Sequence, residues 1–406
     1  MRQIVLTPQL VTCAGEGPKA GAAMGEVGVI LDGALIIQDD RIEYSGSRRA
    51  LPTTDLPSID VAGAVVPGLC DAHSHPLWAG SRLHEFEMRA QGATYQEIHA
   101  AGGGIAATVT ATRQASDDDL RGRVRAVLAR MLQHGTTTVE CKSGYGLSAA
   151  EEERHLRLLQ ELDGHVPMTL VRTFLGAHAL PPDIPRERYV DAMVAMMPRV
   201  VSEGLAQFCD VFCEEGAFTW PETHRILTAA KAAGLQLRIH AEEFSWQGAA
   251  RGAAALGAVS CDHLFCIRPD DYPVLREHGT IATLMPGTMF FLGHERYAPA
   301  RGLIEANVPV ALGTDFNAGS CMSESMAMAM SLAVLKMAMT PAEALIAATV
   351  NSAWAVGKGQ QVGSLSAGKQ ADFLVLAVDD YREWPYHFGV NMVRQVWQQG
   401  VQRWTA

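Results

Sequence analysis

Between roughly Val65 and Gly357 the chain repeats one texture: a short apolar run, a polar patch, then an amphipathic stretch. Eight apolar runs with strand character can be read, at Ala64 to Leu69, Thr136 to Cys141, Met168 to Phe174, Phe208 to Phe212, Leu235 to Ile239, Ala258 to Cys261, Thr280 to Leu284 and Val308 to Leu312. The segments between them, such as Ala149 to Leu162 and Pro221 to Ala233, place apolar residues three or four apart in an Ala, Leu, Arg and Glu background, which is the period of a helix. Strands that are apolar throughout belong to parallel sheets covered on both faces. Eight such units in succession predict an α/β fold, a closed (β/α)8 TIM-like barrel. An open doubly wound sheet is the alternative, and the absence of a GxGxxG after the first strand speaks against it.

A barrel of this kind uses about 250 residues, so 406 residues leave room for a smaller unit. Gly33 to Ser45 reads as short strands around Ala34-Leu35-Ile36-Ile37 and Ile42-Glu43-Tyr44. The same texture returns at Ala371 to Ala377 and Val393 to Val401. Strands at both ends of the chain predict a small β-sandwich domain assembled from residues 1–65 and 358–406, with 66–357 forming the barrel.

Charge and cysteine usage narrow the setting. The net charge is −11 and no Lys/Arg block occurs, which argues against a nucleic-acid partner. Met1 to Leu10 is interrupted by Arg2, Gln3, Pro8 and Gln9, so no secretory core is expected there. No uninterrupted 18-residue apolar run exists, so no membrane partner is expected. The expected location is cytoplasmic. The eight cysteines (13, 70, 141, 209, 213, 261, 266 and 321) fall mostly in or beside apolar runs, as reduced, buried thiols do. Cys209 and Cys213 could share a face, but nothing completes a structural zinc site with them.

Chemistry in such barrels collects at the C-terminal ends of the strands. The first run is followed by Asp71-Ala72-His73-Ser74-His75 and the second by Lys142, Ser143 and Tyr145. The third ends at His178, the fourth at Glu214 and Glu215, the fifth at His240 with Glu242 and Glu243, the sixth at Asp262-His263, and the eighth at Asp315 and Asn317. The seventh, ending Met285-Pro286-Gly287, brings no ionisable group. His73 and His75 are two apart on an extended segment, so both imidazoles point the same way. A lone HxH is a weak signal. It becomes strong with His240 and Asp315 at the ends of other strands, and three imidazoles with one carboxylate suit Zn or Fe better than Mg²⁺ or Ca²⁺. A metal with an open position makes water reactive at neutral pH and polarises a carbonyl. A nearby base must still move a proton, for which Asp315, His263 and Glu243 are the candidates.

Other features read as structural. His84, His99, His134, His155, His165, His224, His278 and His294 lie in helical or loop text. Gly102-Gly103-Gly104 lacks the Gly-Lys-Ser/Thr of a phosphate cradle and reads as a loop near the mouth. Met322 to Met330 reads as helix packing.

Pro67-Gly68-Leu69-Cys70-Asp71-Ala72-His73-Ser74-His75 resembles the opening signature of the amidohydrolase superfamily. Within it the chain resembles the imidazolonepropionase family over nearly its whole length. The stretches that carry this are Ala79 to Arg82, Glu85-Phe86-Glu87, Ala101 to Ile105, Thr136 to Leu147 (TTTVECKSGYGL), Thr173 to Leu180 (TFLGAHAL), Gly313 to Ser320 (GTDFNAGS) and Pro385 to Asn391. The resemblance implies that His73, His75, His240 and Asp315 hold one Zn or Fe ion per subunit. It implies that Arg82 clasps a propionate, a planar fork on a carboxylate. Tyr145, His178 and Glu243 would line the ring pocket, Asn317, Gly319 and Ser320 would contact substrate, and His263 would sit beside the attacking water. The implied reaction opens the lactam ring of 4-imidazolone-5-propanoate to N-formimino-L-glutamate, in histidine degradation. The partner is then a small anionic molecule, and the resemblance points to a homodimer. The chain departs from the family at Cys70 and Cys141, where an aliphatic residue is usual, and at Glu242, where Asp is more usual.

Two other functions share parts of this pattern. A related barrel hydrolase acting as a deaminase on a cyclic amidine would use the same metal ligands. Arg82, Tyr145 and His178 favour a small ring bearing a carboxylate instead. A non-catalytic barrel paralogue would typically lose a ligand, and all four are present.

Overall fold

The computed structural model describes residues 2–93, 97 and 103–406, so His99, Ala101 and Gly102 lie outside the described residues. Five strands come first: β1 (Arg2–Val11), β2 (Val29–Gln38), β3 (Arg41–Ser47), β4 (Ser58–Asp60) and β5 (Val65–Pro67). Eight follow: β6 (Leu69–Asp71), β7 (Thr136–Lys142), β8 (Thr169–Ala177), β9 (Phe208–Cys213), β10 (Gln236–Ala241), β11 (Ser260–His263), β12 (Ile281–Leu284) and β13 (Val310–Leu312). Three more close the chain: β14 (Phe373–Leu376), β15 (Val393–Gln398) and β16 (Val401–Thr405).

β6 to β13 pair in parallel in chain order. Each is buried along almost its whole length, which is why these runs lack the alternation of a half-exposed strand. The ring closes just past the ends of β6 and β13. There Asp315 N donates to His73 O and His75 N to Phe316 O, both at 2.9 Å. The Asp71 carboxylate staples the seam by accepting from Thr314 N (2.9 Å) and Thr314 Oγ1 (2.5 Å). The residues that close the barrel are therefore interleaved with those that face its mouth.

The helices start and stop where local chemistry says they should. Trp220–Ala233 begins after Thr219, whose backbone N–H donates to Glu222 at 2.8 Å, and ends at Gly234 with φ of 105°. That left-handed stop suits glycine, which has no Cβ to clash. Met326 and Met330 are buried on the helix Met326–Met337, as packing predicted, while Met322 lies ahead of it and is exposed.

The terminal strands form one continuous sheet in the order β16-β15-β14-β5-β1-β2-β3, with β4 beside β1. It curls back on itself: Ile42 of β3 exchanges backbone bonds with Gly368 and Lys369 (2.7 and 2.9 Å), just before β14. Val5, Leu35 and Ile37 then share an apolar interior with Phe373, Val375 and Trp397, so the expected sandwich takes the form of a single folded sheet. One strand reading needs correction. Ala64 to Leu69 is two strands, β5 in the terminal sheet and β6 in the barrel, separated by Gly68. A Cβ at Gly68 would lie 2.3 Å from Thr137 Oγ1, so only glycine lets the chain cross between the layers here.

Candidate active site

His73 and His75 leave β6 on the same side, and His240 comes from β10 across the mouth. His75 Nε2 lies 3.3 Å from His73 Nε2 and 3.4 Å from His240 Nε2. Asp315 Oδ1, from the end of β13, lies 3.6 Å from both His73 Nε2 and His75 Nε2. All four side chains are buried. The chemistry of these donors matters more than their proximity. His73 Nδ1 is 2.7 Å from Asp262 Oδ2 and His240 Nδ1 is 3.0 Å from Asp210 Oδ2. A carboxylate beside Nδ1 favours the tautomer that keeps its proton on that nitrogen, which leaves the Nε2 lone pairs of His73 and His240 facing His75. Lone pairs that converge on one point suit the ligands of a shared cation. Four ligands at Zn–N distances form a tetrahedron with edges of about 3.3–3.4 Å, which the nitrogen separations match. The residues present fit a metal ion.

Below this ring lies a layer of charge in which Lys142 and Asp262, legible at strand ends, meet Glu140, Asp210 and Arg238, which were not. Lys142, Glu140, Asp210, Asp262 and Arg238 are all fully buried. Lys142 Nζ donates to Glu140 Oε1 (2.7 Å) and Asp210 Oδ2 (2.8 Å), and Arg238 Nη2 donates to Asp262 Oδ2 (2.8 Å). Burial works against the charge on Lys142, but Asp210 and Glu140 outweigh it and raise its pKa. A signal was available. Glu140/Lys142 and Arg238/His240 are pairs two apart on barrel strands, so the earlier member of each points inward one layer deeper. The helix Pro286–Phe291, which follows β12, also contributes, through Thr288, whose hydroxyl donates to Asp315 Oδ2 at 2.6 Å.

The remaining predicted residues form the walls. His178 stacks on His75 at 5.1 Å with an angle of 20°, donates from Nδ1 to Gly144 O (3.0 Å), and meets Tyr145 edge-on at 5.3 Å. Burial, aided by His240, holds His178 down to about 3, so its ring is neutral. Among the described residues His263 has no hydrogen-bond partner on either nitrogen; its Nδ1 lies 3.6 Å from Glu243 Oε1. Burial, reinforced by Asp315 and Glu214, pushes the Glu243 carboxyl well above the usual range. His263 and Asp315 both sit at positive φ, 76° and 52°, a conformation that non-glycine residues hold only where the surroundings enforce it.

Arg82 is paired side-on with Glu85 through Nε (2.8 Å) and Nη2 (2.6 Å), and Glu85 also accepts from Gly104 N (2.9 Å). The Arg82 guanidinium lies against Gly319, where a Cβ would come within 2.0 Å of Nη1. Gly319→Ala must therefore displace the arginine. The expected result is a KM raised by up to about tenfold, the worth of one weakened charged hydrogen bond, with metal content unchanged; steady-state kinetics and metal analysis check it. The Asn317 carboxamide is engaged within its own loop, accepting from Gly319 N and Ser320 N, both at 2.8 Å. It donates to Asp315 O (2.7 Å) and Ser320 Oγ (2.8 Å), so it shapes the loop that carries Asp315. Glu242 points away from the mouth and accepts from Gln247 N (2.7 Å) and Ala250 N (3.1 Å) at the start of the helix Ala249–Leu256. The departure at Glu242 thus concerns a helix start.

A parallel eightfold barrel with a metal-binding histidine cluster at its C-terminal mouth defines a class of hydrolases, and residues 64–402 match the model of the amidohydrolase family. The chain belongs to the amidohydrolase family, and within it to the imidazolonepropionases. It is 44% identical over 404 residues to the imidazolonepropionase of Shouchella clausii, covering 97% of this chain and 90% of that one. It is 45% identical over 407 residues to that of Symbiobacterium thermophilum, covering 98% and 96%. Among solved structures, an adenosine deaminase from Xanthomonas campestris with bound zinc superposes with a TM-score of 0.72 at 17% identity, covering 99% and 93%. Ochratoxinase from A. niger gives 0.70 at 19% identity, covering 100% and 96%. At these identities the two structures bear on the fold alone.

Proposed function

We infer that the protein is an imidazolonepropionase, a metal-dependent hydrolase that opens the ring of 4-imidazolone-5-propanoate to N-formimino-L-glutamate. The observation that carries this is the near-full-length identity of 44–45% to imidazolonepropionases, in a chain whose three imidazole Nε2 atoms converge at the barrel mouth. His73, His75, His240 and Asp315 would hold one Zn or Fe ion per subunit. When bound, such an ion activates water and polarises the ring carbonyl.

The protein's own groups supply the rest. Arg82 holds the propionate, oriented by Glu85. Tyr145 and His178 form an aromatic wall that keeps the small ring flat against the cluster, with Gly319 and Ser320 beside it. His263, whose two nitrogens have no hydrogen-bond partner among the described residues, takes a proton from the attacking water with Glu243 behind it, and Asp315 stands within the same cluster. Water's oxygen ends in the new carboxylate and one of its protons on the departing ring nitrogen. The eight free thiols, seven of them buried, fit a reducing cytoplasmic setting. No helix among the described residues is long and apolar enough to cross a membrane.

Incubation with freshly generated 4-imidazolone-5-propanoate tests the reading through loss of its ultraviolet absorbance. Turnover is expected, abolished by chelator and restored by Zn or Fe. A fully metallated protein that leaves the substrate untouched would refute it.

A further inference from the structure

We propose that Lys142 is a positioning residue for the metal centre, its ammonium tying together the carboxylates that hold the two segments carrying His73, His75 and His240. The proposal rests on the reading of His73, His75 and His240 as ligands. Lys142 is fully buried at the end of β7. Its Nζ donates to Glu140 Oε1 at 2.7 Å and Asp210 Oδ2 at 2.8 Å, and lies 4.0 Å from Asp262 Oδ2.

Each of these carboxylates also contacts a ligand segment, Asp262 in addition to accepting from Ser260 Oγ and Arg238 Nη2. Glu140 Oε2 accepts from the backbone N–H of Ser74 at 3.2 Å, between the two histidines of the HxH. Asp210 accepts from His240 N at 3.1 Å and lies 3.0 Å from His240 Nδ1. Asp262 Oδ2 sits 2.7 Å from His73 Nδ1. Arg238 shares Asp262, but among the described residues Lys142 is the one side-chain cation bonded to Asp210.

The physical requirement is directional. A ligating imidazole keeps its tautomer and ring orientation through the acceptor on its other nitrogen, and that acceptor must itself be held. An ammonium offers three donors and no acceptor, so one lysine can hold several carboxylates at once in a space closed to water. Without it, Asp210 would keep its charge with no cation bonded to it, and would turn toward whatever donor it could reach.

Zn²⁺ affinity of the full chain, measured by competition with a chromophoric chelator, tests this with Lys142→Met, Asp210→Asn and the double variant. Each single change is expected to weaken binding by about 10–100-fold, the usual effect of losing such an outer partner. The double variant is expected to bind no more weakly than the worse single one, because both changes cut the same link. Wild-type affinity in Lys142→Met, or factors that multiply in the double variant, would overturn the proposal. Thermal unfolding of the metal-free proteins reports folding separately. If Lys142→Met does not fold, Lys142→Gln enters the same cycle. The near-isosteric Asp210→Asn also decides by itself, since wild-type affinity there breaks the link. Failure of the unaltered protein to bind Zn²⁺ would instead overturn the ligand reading.

Discussion

Replacing His240 with alanine is expected to leave the protein folded but short of metal, with kcat/KM reduced by about a thousandfold or more. His240 is the only one of the three clustered imidazoles that comes from across the barrel, and its Nε2 lies 3.4 Å from that of His75. Without it the HxH pair and Asp315 are left on one seam, and the ligands no longer surround a central point. Metal assistance contributes several kcal/mol of transition-state stabilisation, and each 1.36 kcal/mol is a factor of ten in rate. Loss of the centre therefore costs at least about three orders of magnitude. The fold should survive, because Asp210 keeps its bond to Lys142 when the imidazole goes. Metal analysis and steady-state kinetics on the same preparation check the prediction. A His240→Ala protein with full metal and ordinary turnover would remove His240 from the site.

Arg82→Ala should act on the other half of the reaction, raising KM by about ten- to a hundredfold while metal content stays intact. The range is the worth of one hydrogen bond to a charged group, about 1.5–3 kcal/mol, since the two bonds of a planar fork to one carboxylate are not independent. The protein as a whole is anionic, at −11, so a substrate carboxylate needs a local cation to be retained. Arg82 is only partly exposed and is held at a fixed angle by Glu85. Arg82→Lys separates charge from geometry: it keeps the cation, loses the fork, and should fall between the two. An unchanged KM in Arg82→Ala would show that the propionate is held elsewhere.

Much of the site was readable before any coordinates. His73 and His75 announce themselves because alternate residues of an extended segment share a face. His240, His263 and Asp315 were found by asking what ends each apolar run. Glu140, Asp210 and Arg238 of the inner charge layer were not found in this way, although Glu140 and Arg238 stand two residues before Lys142 and His240. In a chain read one residue at a time, a charge inside an apolar strand looks like an exception. In a barrel it is simply the next layer down, and it is tolerated because the opposite charge arrives from a neighbouring strand. Thr288 escaped notice for a related reason. It has no ionisable group, and its value lies wholly in reaching Asp315.

The sequence by itself determined the local periodicities, and with them the eight βα units, the mouth-facing histidines and the membership of a family. Those depend on side-chain spacing along the backbone, which no distant residue can alter. Tertiary structure alone decided which charges meet: Lys142 with Asp210, Arg238 with Asp262, Arg82 against Gly319. It also decided that Val65–Pro67 and Leu69–Asp71 belong to different sheets, although they read as one apolar run. Partnership in a barrel is set by closure of the ring, which brings together residues tens to hundreds of positions apart, and burial then gives each buried charge a reason to find its opposite.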